Sequence, residues 1–283
     1  MRKIIYLLAI VLGIGSLLSS CQELTDPSDF AQPTKVALHI NQITYQDWDG
    51  KTKDLTEKNS PLVMNFRDST TGTTYWKQKV SCTNGKWILP SDILDKNITI
   101  CSAYTPSNAD FIGDEMGWIR LSTQYIQNPE EQDYLVGAAQ IGEDNGITLH
   151  LKHALARFRF LISVDADYAE DSIYAKAIYI RQNPDKKILP TSAYYSLMGK
   201  ISMTENFADI VSEPGIMINK KEEKEVIVYT APATASGQVQ VEIYPNTGNL
   251  ADLDINAEKL KSGTTTTVTL VYGKDGLKVQ KVE

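Results

Sequence analysis

Cysteine is scarce in this chain: three in 283 residues, at positions 21, 82 and 101. No two of them form a CxxC pair, and histidine is as rare, with only His39, His150 and His153. Metal and dithiol chemistry need clustered ligands, so no metal and no cofactor is expected. His150 and His153 stand three apart in a strand-like segment, where they point to opposite faces and cannot share an ion. The chain also lacks a GxSxG elbow, a glycine-rich phosphate loop after a strand and an HExxH motif, and it is not expected to be an enzyme. A basic excess is missing too, since 28 Lys and Arg stand against 35 Asp and Glu. Nothing supplies the cationic stripe that phosphate neutralisation requires, which argues against nucleic acid as a partner. Lys220, Lys221 and Lys224 are interleaved with Glu222, Glu223 and Glu225, the pattern of a solvated edge.

Long apolar runs are absent except at the start. Arg2 and Lys3 precede an almost wholly apolar stretch from Ile4 to Leu18, the layout of a secretory signal peptide and too short for a membrane span. Leu18, Ser19, Ser20 and Cys21 resemble a bacterial lipobox, which implies cleavage by signal peptidase II between Ser20 and Cys21 and lipidation of Cys21. Each buried methylene of an acyl chain contributes about 0.8 kcal/mol, so several chains give a durable anchor. Residues 21–33 then carry Glu23, Asp26, Asp29, Pro27 and Pro33 and few large apolar groups, a flexible acidic leash. Removing residues 1–20 leaves 26 basic against 35 acidic residues, a formal charge of −9.

Beyond the leash, period-two alternation dominates. Val36, Leu38 and Ile40 share one face of "TKVALHINQIT"; Phe158, Phe160, Ile162 and Val164 share one face of "ARFRFLISV". "QVQVEIY" and "TTTTVTLVYG" alternate likewise. Further strands are expected over Leu62–Arg67, Thr73–Cys82, Ile98–Ala103, Tyr134–Ala139, Ile147–Leu151, Ala175–Ile180, Tyr195–Ile201 and Val226–Tyr229, separated by turns such as "TNGK", "GEDNG" and "GKDG". Helical turns are expected only in "SDILD" and between Asp165 and Tyr174. The fold class is therefore all-β, with two β-sandwiches over residues 34–150 and 151–283. Cys82 and Cys101 either close a disulfide, stabilising the fold by roughly 3 kcal/mol, or stand as two buried thiols. Trp76, Trp87 and Tyr104 belong to strands and suit a core. Trp48 and Trp118 lie in polar, glycine-containing segments, where each either packs under a loop or stands exposed as a candidate for sugar stacking.

The stretch "GKWILPSDILDKNITICSAYTP", followed by "DYLVGAAQ" and "ITLHLKHALARFRFLIS" with His153, Leu155 and Phe158 at its centre, resembles the fimbrillin-like proteins, pilus subunits of Bacteroidales. Thr105 departs from that pattern, where a second tyrosine is common, and the chain is short for a stalk subunit. The resemblance implies two transthyretin-like sandwiches, a lipoprotein precursor at the outer membrane and cell surface, and other pilus subunits as partners, with a host or glycan ligand as a further partner. It also implies donor-strand assembly, in which proteolysis removes the first strand and a neighbour's strand replaces it. Here that strand is Thr34–Thr44, carrying Val36, Leu38 and Ile40. The candidate donor residues are Val268, Leu270, Tyr272, Leu277 and Val279. No arginine lies between Cys21 and Arg67, so processing would fall to Lys51, Lys53 or Lys58. An uncut chain would serve as an anchor, a cut one as a stalk subunit. The triplets at Asp68–Thr70 and Asp171–Ile173 are similar to the O-glycosylation consensus of such secreted proteins, with Ser69 and Ser172 as acceptors. The alternative reading is a surface lipoprotein of β-sandwich build that binds glycans.

Overall fold

The computed structural model describes residues 35–68, 74–89, 93–95, 98–112, 118–123, 125–126, 133–197, 201–245 and 250–283. Strands account for nearly all of the regular structure. The first group is β1 (Lys35–Ala37), β2 (His39–Gln46), β3 (Thr52–Asp54), β4 (Leu62–Asp68), β5 (Thr74–Thr83), β6 (Lys86–Ile88), β7 (Ile93–Asp95) and β8 (Ile98–Thr105). Then come β9 (Asp110–Ile112), β10 (Trp118–Ser122), β11 (Tyr125–Ile126), β12 (Leu135–Gln140), β13 (Gly146–His153), β14 (Ala156–Val164), β15 (Ser172–Ala175), β16 (Ala177–Arg181) and β17 (Ser192–Ser196). The chain finishes with β18 (Ile201–Glu205), β19 (Ile210–Ser212), β20 (Ile216–Asn219), β21 (Lys224–Thr230), β22 (Gly237–Tyr244), β23 (Ala251–Ile255), β24 (Thr265–Gly273) and β25 (Gly276–Val282). Helical structure among the described residues is limited to two 3₁₀ turns, Glu57–Asn59 and Pro184–Lys186.

The N-terminal half is one strand succession in the order β3-β2-β13-β12-β8-β4-β5-β6. It bends at β12 and β13, which share only the pairs Leu135–His153 and Val136–Lys152. Gly137 marks the bend, because a Cβ there would lie 2.6 Å from the carbonyl oxygen of His150. After it β13 leaves its partner and brings Ile147, Leu149 and Leu151 into one cluster with Leu62, Met64 and Phe66, all essentially inaccessible. That is a sandwich closed by folding a sheet over. Burying side chains of this size stabilises by about 1.5–3 kcal/mol each.

In the C-terminal half β14 is central, antiparallel to β21 and parallel to β24. Its alternation is as the sequence requires: Phe158, Phe160 and Ile162 are fully buried, while Arg157 and Arg159 lie on the other face. A facing sheet, β11-β19-β16-β22-β23, contributes Ile178, Ile180, Val239, Val241 and Ile243 to the same core. The chain between β8 and β12 crosses to this half. β10 pairs with β17 over five residues and β11 runs parallel to β19.

Four expectations need correction. "SDILD" contains a strand, β7, antiparallel to β1, and residues 165–174 form turns leading into β15, not a helix. The strand expected over Ala175–Ile180 divides at Lys176 into β15 and β16, which belong to different sheets. The strand expected over Tyr195–Ile201 is a hairpin, in which β17 ends at Ser196 and β18 begins at Ile201. Cys82 and Cys101 are both free and buried. Cys101 stands opposite Phe66, and Phe66 opposite Trp76, so Cys82 lies six residues farther along β5. At about 3.3 Å per residue that is roughly 20 Å, far beyond the Cα separation a disulfide spans.

Candidate functional site

The first strand is where sequence pattern and geometry converge. Leu38 is buried and Ile40 half-buried against the N-terminal core, whereas the side chain of Val36 lies outside the described residues. β2 pairs parallel with β13, and the register slips once: Ile40 faces Ile147, but Gln42 faces Thr148. Asn41 is the extra residue. This bulge moves Ile43 onto the face of Leu38 and Ile40, so the apolar set continues as Ile43 and Tyr45.

On its other side β2 is only partly covered. Thr44, Tyr45 and Gln46 pair with β3, and the carbonyl of Ile43 accepts the N–H of Leu55 at 2.9 Å. Residues 39–42 instead border a cleft of about 1170 Å³ that runs from β2 to the terminal strand β6. Leu38, Ile40, Leu55, Trp87 and Leu89 furnish its apolar lining, and Ile88 on its rim is 56% exposed. The Trp87 indole N–H donates to the carbonyl of Leu55 at 3.3 Å, tying β6 across the cleft. Among the described residues β2 therefore has one continuous strand neighbour and one largely open edge. Such an edge is a ready template for another strand.

The candidate donor strands differ from one another. β24 lies between β14 and β25 with Val268, Leu270 and Tyr272 buried in the C-terminal core. β25 is terminal in its sheet; Leu277 is buried, Val279 half-buried and Val282 42% exposed. A bulge at Gln280 keeps all three on one face, opposite Tyr272, Leu270 and Val268. Of the two, only β25 has a backbone edge without a strand partner among the described residues.

The hairpin after β2 is fixed by Asp47. Its carboxylate accepts the N–H groups of Asp49 and Lys51 and pairs with Lys53 Nζ at 2.6 Å. The Lys53 hydrogen bond holds the Asp47 carboxyl below its usual range. Lys51 and Lys58 remain exposed, whereas Lys53 sits inside β3.

Trp48 is not an open platform. Its indole stacks on His153 with centroids 3.8 Å apart, and the Arg157 guanidinium lies 4.6 Å from its centroid. Asp133 accepts from Trp48 Nε1 at 3.3 Å and contacts His153 Nδ1 at 2.6 Å. Tyr229 of β21 completes the cluster at 5.6 Å. Nothing in the sequence groups residues 48, 133, 153, 157 and 229; only the fold does. Trp118 by contrast lies half-exposed on β10, Tyr104 is buried, and Trp87 packs partly buried against the N-terminal core. The side chain of Trp76 lies outside the described residues, as do Ser20, Cys21, the leash and Ser69. Ser172 opens β15, half-buried, opposite Asn219. Among the described residues no group of histidine, cysteine and carboxylate side chains is arranged to hold a metal.

The profile of the fimbrillin-like family matches residues 41–283, from within β2 to the end of β25. The chain belongs to the fimbrillin-like family. Among solved structures this fimbrillin-like chain is similar to a fimbrial protein of Bacteroides vulgatus, at 11% identity over 88% of this chain and 98% of that one, with a TM-score of 0.55. It is also similar to the fimbrial anchor protein Mfa2 of Porphyromonas gingivalis, at 13% identity over 88% and 97%, with a TM-score of 0.53. Identities this low carry the fold alone. No curated sequence matches. Family membership gives a structural component of a cell-surface fimbria, with other pilus subunits as its partners.

Proposed function

We propose that this fimbrillin-like chain travels to the outer membrane as a lipoprotein on Cys21 and joins its pilus by donor-strand addition at the β2 cleft. Its role is structural and non-enzymatic. The supporting observation is the position of β2, paired along its length among the described residues only with β13 and bordering the 1170 Å³ cleft through residues 39–42. Loss of the first strand would uncover the sites of Leu38, Ile40 and Ile43 in one row. A replacement strand would regain the main-chain bonds to β13, and its alternate side chains would refill those sites. β25 of a neighbouring copy is the donor that best suits this, because releasing it disturbs one strand pairing, whereas releasing β24 disturbs two.

Exposed Lys51 and Lys58 flank the hairpin that follows β2, and cutting at either frees β1 and β2 from the rest. The test is digestion with a lysine-specific protease, N-terminal sequencing of the product, and gels of boiled and unboiled samples. The expected product begins between residues 52 and 61 and forms a ladder of oligomers that boiling collapses. A nicked chain that stays monomeric would overturn strand exchange. An uncut chain that caps a ladder of other subunits would make it the lipid-held anchor of the fibre.

A further inference from the structure

Two strands of this chain carry their apolar residues at the same stride. From Leu38 to Ile43 the sequence of β2 reads "LHINQI", and from Leu277 to Val282 that of β25 reads "LKVQKV". In each, the second apolar residue follows the first by two places and the third follows by three. Simple alternation gives no such step. A bulge does, and it falls at Asn41 in β2 and at Gln280 in β25. The polar positions correspond as well: His39 to Lys278, Asn41 to Gln280 and Gln42 to Lys281.

The charges beside β2 follow the same alignment. His39 Nε2 lies 3.8 Å from Oδ2 of Asp144, in the turn before β13, and Gln42 Nε2 donates to Asp54 Oδ1 at 2.9 Å. A lysine of β25 corresponds to each of these positions, Lys278 to the one beside Asp144 and Lys281 to the one beside Asp54. A cut at Lys51 leaves Asp54 in the chain. In its own sheet Lys278 pairs with Asp275 and Lys281 with Glu283, and all four side chains are exposed. Exposed pairs of this kind contribute little, so releasing them opposes the transfer only weakly.

We propose that β25 of a second copy enters the place of β2 in one register, parallel to β13. Leu277, Val279 and Val282 then occupy the sites of Leu38, Ile40 and Ile43, and Lys278 meets Asp144. This rests on strand addition at the cleft and adds what selects the register. β13 already accommodates a bulge at this step, between Ile147 and Thr148. Without it Lys281 would turn into the core opposite Leu149, and Val282 would turn to solvent. Burial of the apolar row supplies the affinity, and the charges at the rim discriminate between alignments.

The test places two cysteines in the full chain, Thr148→Cys with Lys281→Cys, followed by lysine-specific digestion and oxidation. Both positions are exposed, and Cys82 and Cys101 are buried. In the proposed register Lys281 stands opposite Thr148, as Gln42 does in the intact chain. Neighbouring strands lie about 4.8 Å apart, within reach of a disulfide. The ladder of this variant is expected to survive boiling and to collapse only with reductant. Thr148→Cys with Gln280→Cys, the pair that a bulge-free alignment would join, should give a ladder that boiling still collapses. Cross-linking of the second pair in place of the first would overturn the register, as would a ladder in which neither pair cross-links. Absence of any ladder from the unsubstituted protein would overturn strand addition itself, and the register with it. Val282→Ile gives a second measurement, because Val282 is 42% exposed in its own fold and one carbon smaller than Ile43. It should raise the temperature at which the ladder collapses, and an unchanged temperature would place Val282 outside the Ile43 site.

Discussion

Asn65 on β4 is fully buried, yet neither its Nδ2 nor its Oδ1 has a hydrogen-bond partner, and the same holds for the Oγ of Ser102 directly opposite it. An unpaired buried amide costs about 1–3 kcal/mol, so Asn65→Leu, close in volume and free of polar atoms, is expected to raise stability by that order. Urea unfolding checks this, and a lower midpoint would contradict it. The thiols give a second prediction. Burial pushes Cys101 up from its ordinary value, and burial first, with Glu57 adding to it, does the same to Cys82. Both should therefore resist a thiol reagent in the folded protein and react together when it unfolds, and the chain should migrate alike with and without reductant. Pairing of these two cysteines was open in the sequence because spacing along the chain says nothing of which strands separate them. Whether Trp48 packs under a loop or stands exposed was open for a similar reason. A polar, glycine-containing neighbourhood suggested exposure, and its partners come from segments 85 to 181 residues away.

Strands with strict alternation were legible as they stand: β14 reads buried at every second residue without a break. β2 and β25 were read less fully because each holds a bulge, at Asn41 and Gln280, that a period-two reading cannot accommodate. Ile43 thus seemed to leave the core face, and Val282 did not register as a partner of Leu277 and Val279. Deleting Asn41 removes the extra residue, and simple alternation then keeps Ile43 and Tyr45 on the face of Leu38 and Ile40, so little change in the unfolding midpoint is expected. Deleting Gln42 as well turns both away from the core, at an expected cost of about 2–5 kcal/mol, seen as a lower unfolding midpoint. Gly137→Ala tests the bend in the N-terminal sandwich. A Cβ 2.6 Å from a backbone oxygen must push β13 aside, at an expected cost of about 1–3 kcal/mol. An unchanged melting temperature would show that the two strands have room to part. "SDILD" escaped because a three-residue strand is too short for any period to declare itself.

For the whole molecule, the sequence supported the all-β class and an abundance of short strands, but not the crossing of residues 110–126 into the C-terminal sheets. Strands of two to five residues, paired with partners 70 to 86 positions distant, leave no local trace. That crossing and the Trp48–His153–Arg157 stack join the two halves, so they should unfold as one unit. Trp48→Ala is expected to split a single thermal transition into two, and calorimetry showing one sharp transition in the variant would contradict this. The central claim is that the row under Leu38, Ile40 and Ile43 can be emptied and refilled by a strand from another copy. Its most direct measurement adds a synthetic peptide of residues 35–46 to the lysine-nicked protein after the native strand has been removed. The account predicts that this peptide suppresses the heat-sensitive ladder, and that a peptide carrying Leu38→Asp and Ile43→Asp does not. A ladder indifferent to both peptides would place the joint between subunits elsewhere.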